Sequence, residues 1–210
     1  MNVEIQLPTP ESAKPGKAPY KRIATEEAFA PKEMLDIYRG LFNQPDVDPG
    51  FKGLMGFYMT SQSDRARHIM EGLQDLGDKR LAHMDAAGVD MAVIALTAPG
   101  VQWLDKGTAV SFARTANDQL AEACRKYPTR FAGMIAVAPQ DPAAAAKEIQ
   151  RGVNELGMNS VIINSHTKGE YLSDQKFWDI FAAAEAHDVP IYLHPNSLPA
   201  NMIQPFQEAG

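Results

Sequence analysis

Residues 131–164 read FAGMIAVAPQDPAAAAKEIQRGVNELGMNSVIIN, and the punctuation of this stretch decides the fold. Phe131–Ala138 is a near-continuous apolar run closed by Pro139, the pattern of a strand covered on both faces. Asp141 offers a side-chain oxygen to a helix N-terminus, and Pro142 suits the first turn, where its missing N–H is not needed. The helix runs from Ala143 to Leu156 and stops at Gly157. Ser160–Asn164 then forms a second apolar strand. Strands that begin about thirty residues apart, with a helix between them, have the size of a βαβ unit.

The rhythm extends outward in both directions. Val189–Leu193 is a strand one unit further on, closed by His194–Pro195. Ser173 or Asp174 caps the helix before it, with Phe177, Ile180, Phe181 and Ala184 on one face. Upstream, residues 108–127 are helical in pattern, and Val89–Leu96 is a buried strand followed by the turn Thr97-Ala98-Pro99-Gly100. Residues 63–87 are helical, and Arg22–Thr25 is a short strand ending at Glu26. Alternation of this kind argues a parallel α/β sheet. A doubly wound sheet and a barrel share the signal, and five strands do not choose between them, because a closed barrel needs eight.

Residues 1–19, with Pro8, Pro10, Pro15 and Pro19 and few large apolar groups, read as a flexible N-terminal arm. Residues 20–210 hold the fold. Within them, residues 40–62 carry Pro45, Pro49, Gly50, Gly53 and Gly56 and read as an insertion of the lid or subunit-contact kind. Hydrophobic residues make up 45% and charged residues 22%, ordinary for a globular domain, and the net charge is −6 without a basic stripe. That balance argues against nucleic-acid and membrane partners. Cys124 is the one cysteine, so no internal disulfide forms, and it reads as a packing residue. With no secretory pattern at the N-terminus, a cytoplasmic location is expected.

Chemistry concentrates where strands end, because the C-terminal ends of parallel strands face the active site. Glu26 follows the first strand and His194 the fifth, so a carboxylate and an imidazole could share a metal ion there. A solvated carboxylate and a turn histidine are the plain structural alternatives. Thr97 and His166 also follow strands and could meet a substrate, or simply hold their loops. His68, His83 and His187 fall in helical stretches and read as surface or core groups.

Three segments carry a family resemblance: Glu26-Glu27-Ala28-Phe29-Ala30, Leu96-Thr97-Ala98-Pro99-Gly100-Val101-Gln102, and Pro190-Ile191-Tyr192-Leu193-His194-Pro195. In their order and spacing they resemble the amidohydrolase-superfamily aromatic-acid decarboxylases of the gamma-resorcylate decarboxylase type, over about the first two-thirds of such an enzyme. The resemblance implies a TIM-type (β/α)8 barrel, incomplete here, with about five strand–helix units. It implies one divalent metal ion held by Glu26 and His194, and no organic cofactor. Many relatives place a histidine where this chain has Ala28; its loss favours a harder ion such as Mn²⁺, with Zn²⁺ the other candidate. That departure is similar to the 5-carboxyvanillate branch, in which the positions of Arg65 and Tyr58 are substrate contacts. Arg suits bidentate grip of a carboxylate, and Tyr a ring contact or phenol hydrogen bond.

The activity implied is non-oxidative decarboxylation of a small phenolic acid, 5-carboxyvanillate to vanillate, in lignin-derived aromatic catabolism. A homo-oligomer, dimer or tetramer, is expected with it. The family's acid and third ligand, an aspartate, correspond to a region beyond Gly210, so no catalytic acid is named here and the 210 residues alone are expected to be inactive. Two rival readings remain: a metal-dependent hydrolase of an amide, ester or lactone on the same scaffold, and an inactive fragment or binding module.

Overall fold

The structure is a computed structural model that describes residues 19–199 together with 202, 203, 205 and 208. The expected N-terminal arm, Pro19 apart, lies outside the described residues. The chain opens with strand β1 (Ile23–Phe29), followed by four helices: α1 (Lys32–Phe42), α2 (Pro49–Thr60), α3 (Asp64–Gln74) and α4 (Asp78–Ala87). Strand β2 (Met91–Leu96) leads to helix α5 (Lys106–Lys126), and β3 (Phe131–Gly133) and β4 (Ile135–Ala136) follow. Helix α6 (Pro142–Asn154) connects to β5 (Val161–Asn164), after which β6 (His166–Thr167) and β7 (Glu170–Tyr171) form a small antiparallel hairpin. A 3₁₀ turn at Gln175–Phe177 runs into α7 (Trp178–Ala186), and β8 (Ile191–His194) closes the series.

All four principal pairings are parallel: β1 with β2, β2 with β3, β4 with β5, and β5 with β8. Strands β3 and β4 form one line interrupted at Met134, whose N–H donates back to the Ile94 carbonyl at 2.8 Å. The five strand lines therefore follow one another in chain order. Their ends Phe29, Leu96, Asn164 and His194 share one edge, since Phe29 pairs with Leu96 and Asn164 with His194. Helices α5 and α6 cover the sheet. Ile94, Leu120, Ile135, Ile149, Ile163 and Ile180 are fully buried between the layers, each such side chain contributing about 1.5–3 kcal/mol on burial. Helix α6 comes closest at Gly152, where a Cβ would stand 2.6 Å from Ile135, so only glycine permits this spacing.

The helix signals behave as read. Asp141 accepts the Ala144 N–H at 3.1 Å with Pro142 in the first turn, and Gly157 follows with φ 71°. Asp174, rather than Ser173, caps the turn into α7. Three expectations are corrected, and one segment gains a structure that was not foreseen. Most of the segment 40–62 is the tail of α1 and the whole of α2, whose N-terminus Asp48 caps by accepting from Gly50 and Phe51. Its glycines hid the helix because each one lowers helix propensity. Residues 63–87 form two helices, not one, because Asp75 bends the chain by accepting the Gly77 and Arg80 N–H groups. Phe181 is 39% exposed, since α7 begins from a 3₁₀ turn and only Phe177, Ile180 and Ala184 stay on the core face. Finally, β1 extends to Phe29, so Glu26 lies inside the strand and not after it.

Candidate active site

Glu26 owes its aim to an irregularity. The β1–β2 register runs Ala24 to Ala92 and then Glu27 to Ile94, so Thr25 and Glu26 together oppose Val93. Such a bulge leaves one residue unpaired and re-aims side chains, and bulges gather beside active sites. From β8, the alternation of a strand puts Tyr192 and His194 on one face. The two strands meet through these side chains. His194 Nε2 lies 3.3 Å from Glu26 Oε1, and the Tyr192 hydroxyl donates to Glu26 Oε2. The phenol's pKa is raised, chiefly because Glu26 accepts its proton in that hydrogen bond. His194 Nδ1 sits 2.6 Å from the Pro195 carbonyl, which can only accept, so Nδ1 carries a proton there and Nε2 is the nitrogen that faces Glu26.

This pair forms part of the wall of a cavity of about 340 Å³. Thr97 borders it from the end of β2, and Leu54, Met55 and Tyr58 border it from α2. The wall thus sets a few polar strand groups, Glu26, Glu27, Thr97 and His194, in a largely apolar lining, the usual make-up of a small-molecule site. A larger groove of about 520 Å³ shares Glu27 and Ala28 with it and contains His68 and His83, but touches neither Glu26 nor His194. The smaller cavity is the one with converging chemistry.

The turn after β2 is built to hold that side in place. Thr97 N–H donates to Phe29 O at 2.8 Å, and buried Tyr38 donates its hydroxyl to Gly100 O at 2.6 Å. Gly100 adopts φ 62°, which disfavours side chains, and a Cβ there would crowd the Asn164 amide at 3.1 Å. Gln102, also buried, reaches from this turn to the end of β5. Its Nε2 donates to Asn164 O, His166 O and Thr167 Oγ1, and its Oε1 accepts from the Asn164 backbone N–H at 2.7 Å. Sequence reading placed Gln102 only in a motif and gave it no role; its position two residues past a glycine turn held no further signal.

Of the residues singled out from the sequence, Glu26, His194, Thr97 and Tyr58 come together on one cavity. Arg65 stands exposed in the first turn of α3, outside that wall. His166 does not reach it either. Its Nδ1 accepts the Gly169 N–H at 3.2 Å and its Nε2 donates to Ser197 O at 2.6 Å, so both ring nitrogens are spent on backbone. It turned away because the chain leaves β5 into the β6–β7 hairpin, which tucks the ring under Trp103. Among the described residues, no group of three or more His, Cys, Asp and Glu side chains gathers to hold a metal ion. Among them, too, no helix is long and apolar enough to cross a membrane.

A parallel α/β fold is also what comparison with known proteins finds. A family model described as Amidohydrolase matches residues 45–208, and the chain belongs to this family. It is similar to the crystal structure of 5-carboxyvanillate decarboxylase from Novosphingobium aromaticivorans complexed with manganese and 4-hydroxy-3-methoxy-5-nitrobenzoic acid. The identity is 50% and the TM-score 0.89, covering 97% of this chain and 58% of that one. The 5-carboxyvanillate decarboxylase of Sphingomonas paucimobilis is 37% identical with TM-score 0.81, over 90% of this chain and 56% of that one. Gamma-resorcylate decarboxylase from Polaromonas sp. is 35% identical over 188 residues, 86% of this chain and 52% of the relative. The chain spans about half the length of the curated relatives it matches.

Proposed function

We propose that these residues form the strand-one-to-five side of a TIM-type barrel in a divalent-metal-dependent decarboxylase, with 5-carboxyvanillate as substrate and vanillate and CO₂ as products. One observation carries the reading: Glu26 Oε1 and His194 Nε2 stand 3.3 Å apart on the wall of a cavity of aromatic-ring size. One oxygen and one nitrogen donor suit a hard or borderline divalent ion, and Ala28 removes a competing imidazole, which favours Mn²⁺. Two donors fall short of the three that a catalytic site ordinarily takes from protein, so the reading calls for one more.

When bound, the ion would supply Lewis-acid stabilisation of a phenolate and a template for the adjacent carboxylate. The chain's own residues do the rest. Glu26 and His194 fix the polar end, while Leu54 and Met55 of α2 cover one face of the ring and exclude water there. Tyr58 and Thr97 offer hydroxyls to the ring substituents, and Arg65 is proposed to swing in from α3 to grip a second carboxylate. Held this way, the substrate needs a proton at the ring carbon that loses CO₂, from a general acid. A homo-oligomer, dimer or tetramer, is part of the proposal and rests on the family resemblance.

The test is CO₂ release from 5-carboxyvanillate with added Mn²⁺ by the intact purified enzyme, third ligand and acid included, beside Glu26→Gln in the same form. Turnover that falls about 100-fold or more in the variant is expected, as loss of several kcal/mol of charge stabilisation requires. Ring-opened or hydrolysed product without CO₂ would instead establish the hydrolase reading.

A further inference from the structure

We propose that Tyr192 is a positioning residue that sets the metal-binding oxygen of Glu26. The inference rests on the reading of Glu26 and His194 as a metal-holding pair and adds a third residue to it. Glu26 sits on a bulge with its side chain 55% exposed, a place where a carboxylate would ordinarily sample several rotamers. Here its two oxygens have separate partners. Oε2 accepts the Tyr192 hydroxyl, which leaves Oε1 turned toward His194 Nε2.

Both partners come from β8, two residues apart, with ring centroids separated by 6.3 Å. The strand's own alternation therefore fixes the spacing between the imidazole and the phenol, and the phenol transmits that spacing to a carboxylate on a strand it does not pair with. Among the described residues, Tyr192 is the one hydrogen-bond donor to the Glu26 carboxylate, and Glu26 is the one acceptor for the phenol. Ring packing alone would not need the hydroxyl aimed at that oxygen. Ligating carboxylates are themselves generally hydrogen-bonded by a surrounding residue, and loss of such a partner typically lowers metal affinity about 10–100-fold.

Tyr192→Phe deletes the hydroxyl and keeps the ring, so it separates positioning from packing. Titration with Mn²⁺ alone, followed by the electron paramagnetic resonance signal of the free ion, would be run on the wild type, Tyr192→Phe and Glu26→Gln. Metal-free melting temperatures would be measured alongside. We expect Tyr192→Phe to weaken Mn²⁺ binding about 10–100-fold with an unchanged metal-free melting temperature, and Glu26→Gln to abolish binding. Wild-type affinity in Tyr192→Phe, with binding still lost in Glu26→Gln, would overturn the positioning role and leave the metal pair standing. A metal-free melting temperature that drops along with the affinity would make Tyr192 a packing residue and overturn the role as well. Equal binding by all three proteins, or none by the wild type, would overturn the metal pair and this inference together.

Discussion

Two histidines follow neighbouring parallel strands on the same edge of the sheet, His166 after β5 and His194 at the end of β8, and they have opposite fates. His166 is 1% exposed and gives both nitrogens to backbone groups, one from Gly169 and one to Ser197. His194 gives only Nδ1 to backbone, at Pro195, and keeps Nε2 free to face Glu26. The chemical capacity of a strand-end histidine is thus set by how many of its nitrogens the surrounding main chain consumes. The same corner shows why His166 was consumed. Gln102, Asn164 and Thr167 lock it to the turn after β2, so this edge is half scaffold and half candidate site.

The sharpest way to break the comparison is to remove each ring in turn. His194→Ala should lower kcat/KM for 5-carboxyvanillate by about 100-fold or more, at tenfold per 1.36 kcal/mol, and leave urea unfolding nearly unchanged. His166→Ala should cost about 2–4 kcal/mol of stability, from a buried ring and two hydrogen bonds, while Mn²⁺ affinity stays within a few-fold. A reversed pattern, with metal binding lost in His166→Ala and stability intact, would invert the assignment.

Gln102→Leu sharpens the scaffold half. It leaves buried acceptors at Asn164 O and His166 O and a buried donor at Asn164 N, so denaturation should show a loss of about 2–3 kcal/mol, within the range for unsatisfied buried groups. On the site half, Tyr58→Phe removes one neutral hydroxyl from the cavity wall. It should reduce kcat/KM by about 2–10-fold, the worth of an ordinary hydrogen bond.

A residue of neither half calibrates the scale. Asp141 caps α6, and hydrogen bonding from Lys106 and then from the Ala144 N–H holds its carboxyl below the usual range. With the folded pKa depressed, its contribution is full above the unfolded value of about 3.9 and is lost as pH falls through the folded one. Asp141→Ala should therefore cost about 1 kcal/mol at pH 7, and the gap to wild type should close below about pH 4. Urea midpoints for both proteins at pH 7 and pH 3 check this.

Local signals were legible because they depend on neighbours in the chain. The apolar runs of β2, β4, β5 and β8, the Asp141–Pro142 start and the Gly157 stop all act within a few residues. Helix α2 was missed on the same ground: Gly50, Gly53 and Gly56 speak locally against a helix, and packing of Phe51 and Met55 into the core overrides them. The split at Asp75 and the bulge at Glu26 escaped notice too, since each depends on hydrogen bonds or pairings made after the elements assemble.

The sequence by itself determined that strands and helices alternate and that Glu26 and His194 lie at or near the first and fifth strands, although it set Glu26 after β1 and not within it. The tertiary structure alone decided which of the two strand-end histidines stays available, which face of α2 meets the cavity, and that Tyr192 completes the carboxylate–imidazole pair. The physical reason is range. Propensity and periodicity are read over a few residues, whereas Glu26 and Tyr192 are 166 residues apart in the chain and meet only in the assembled fold.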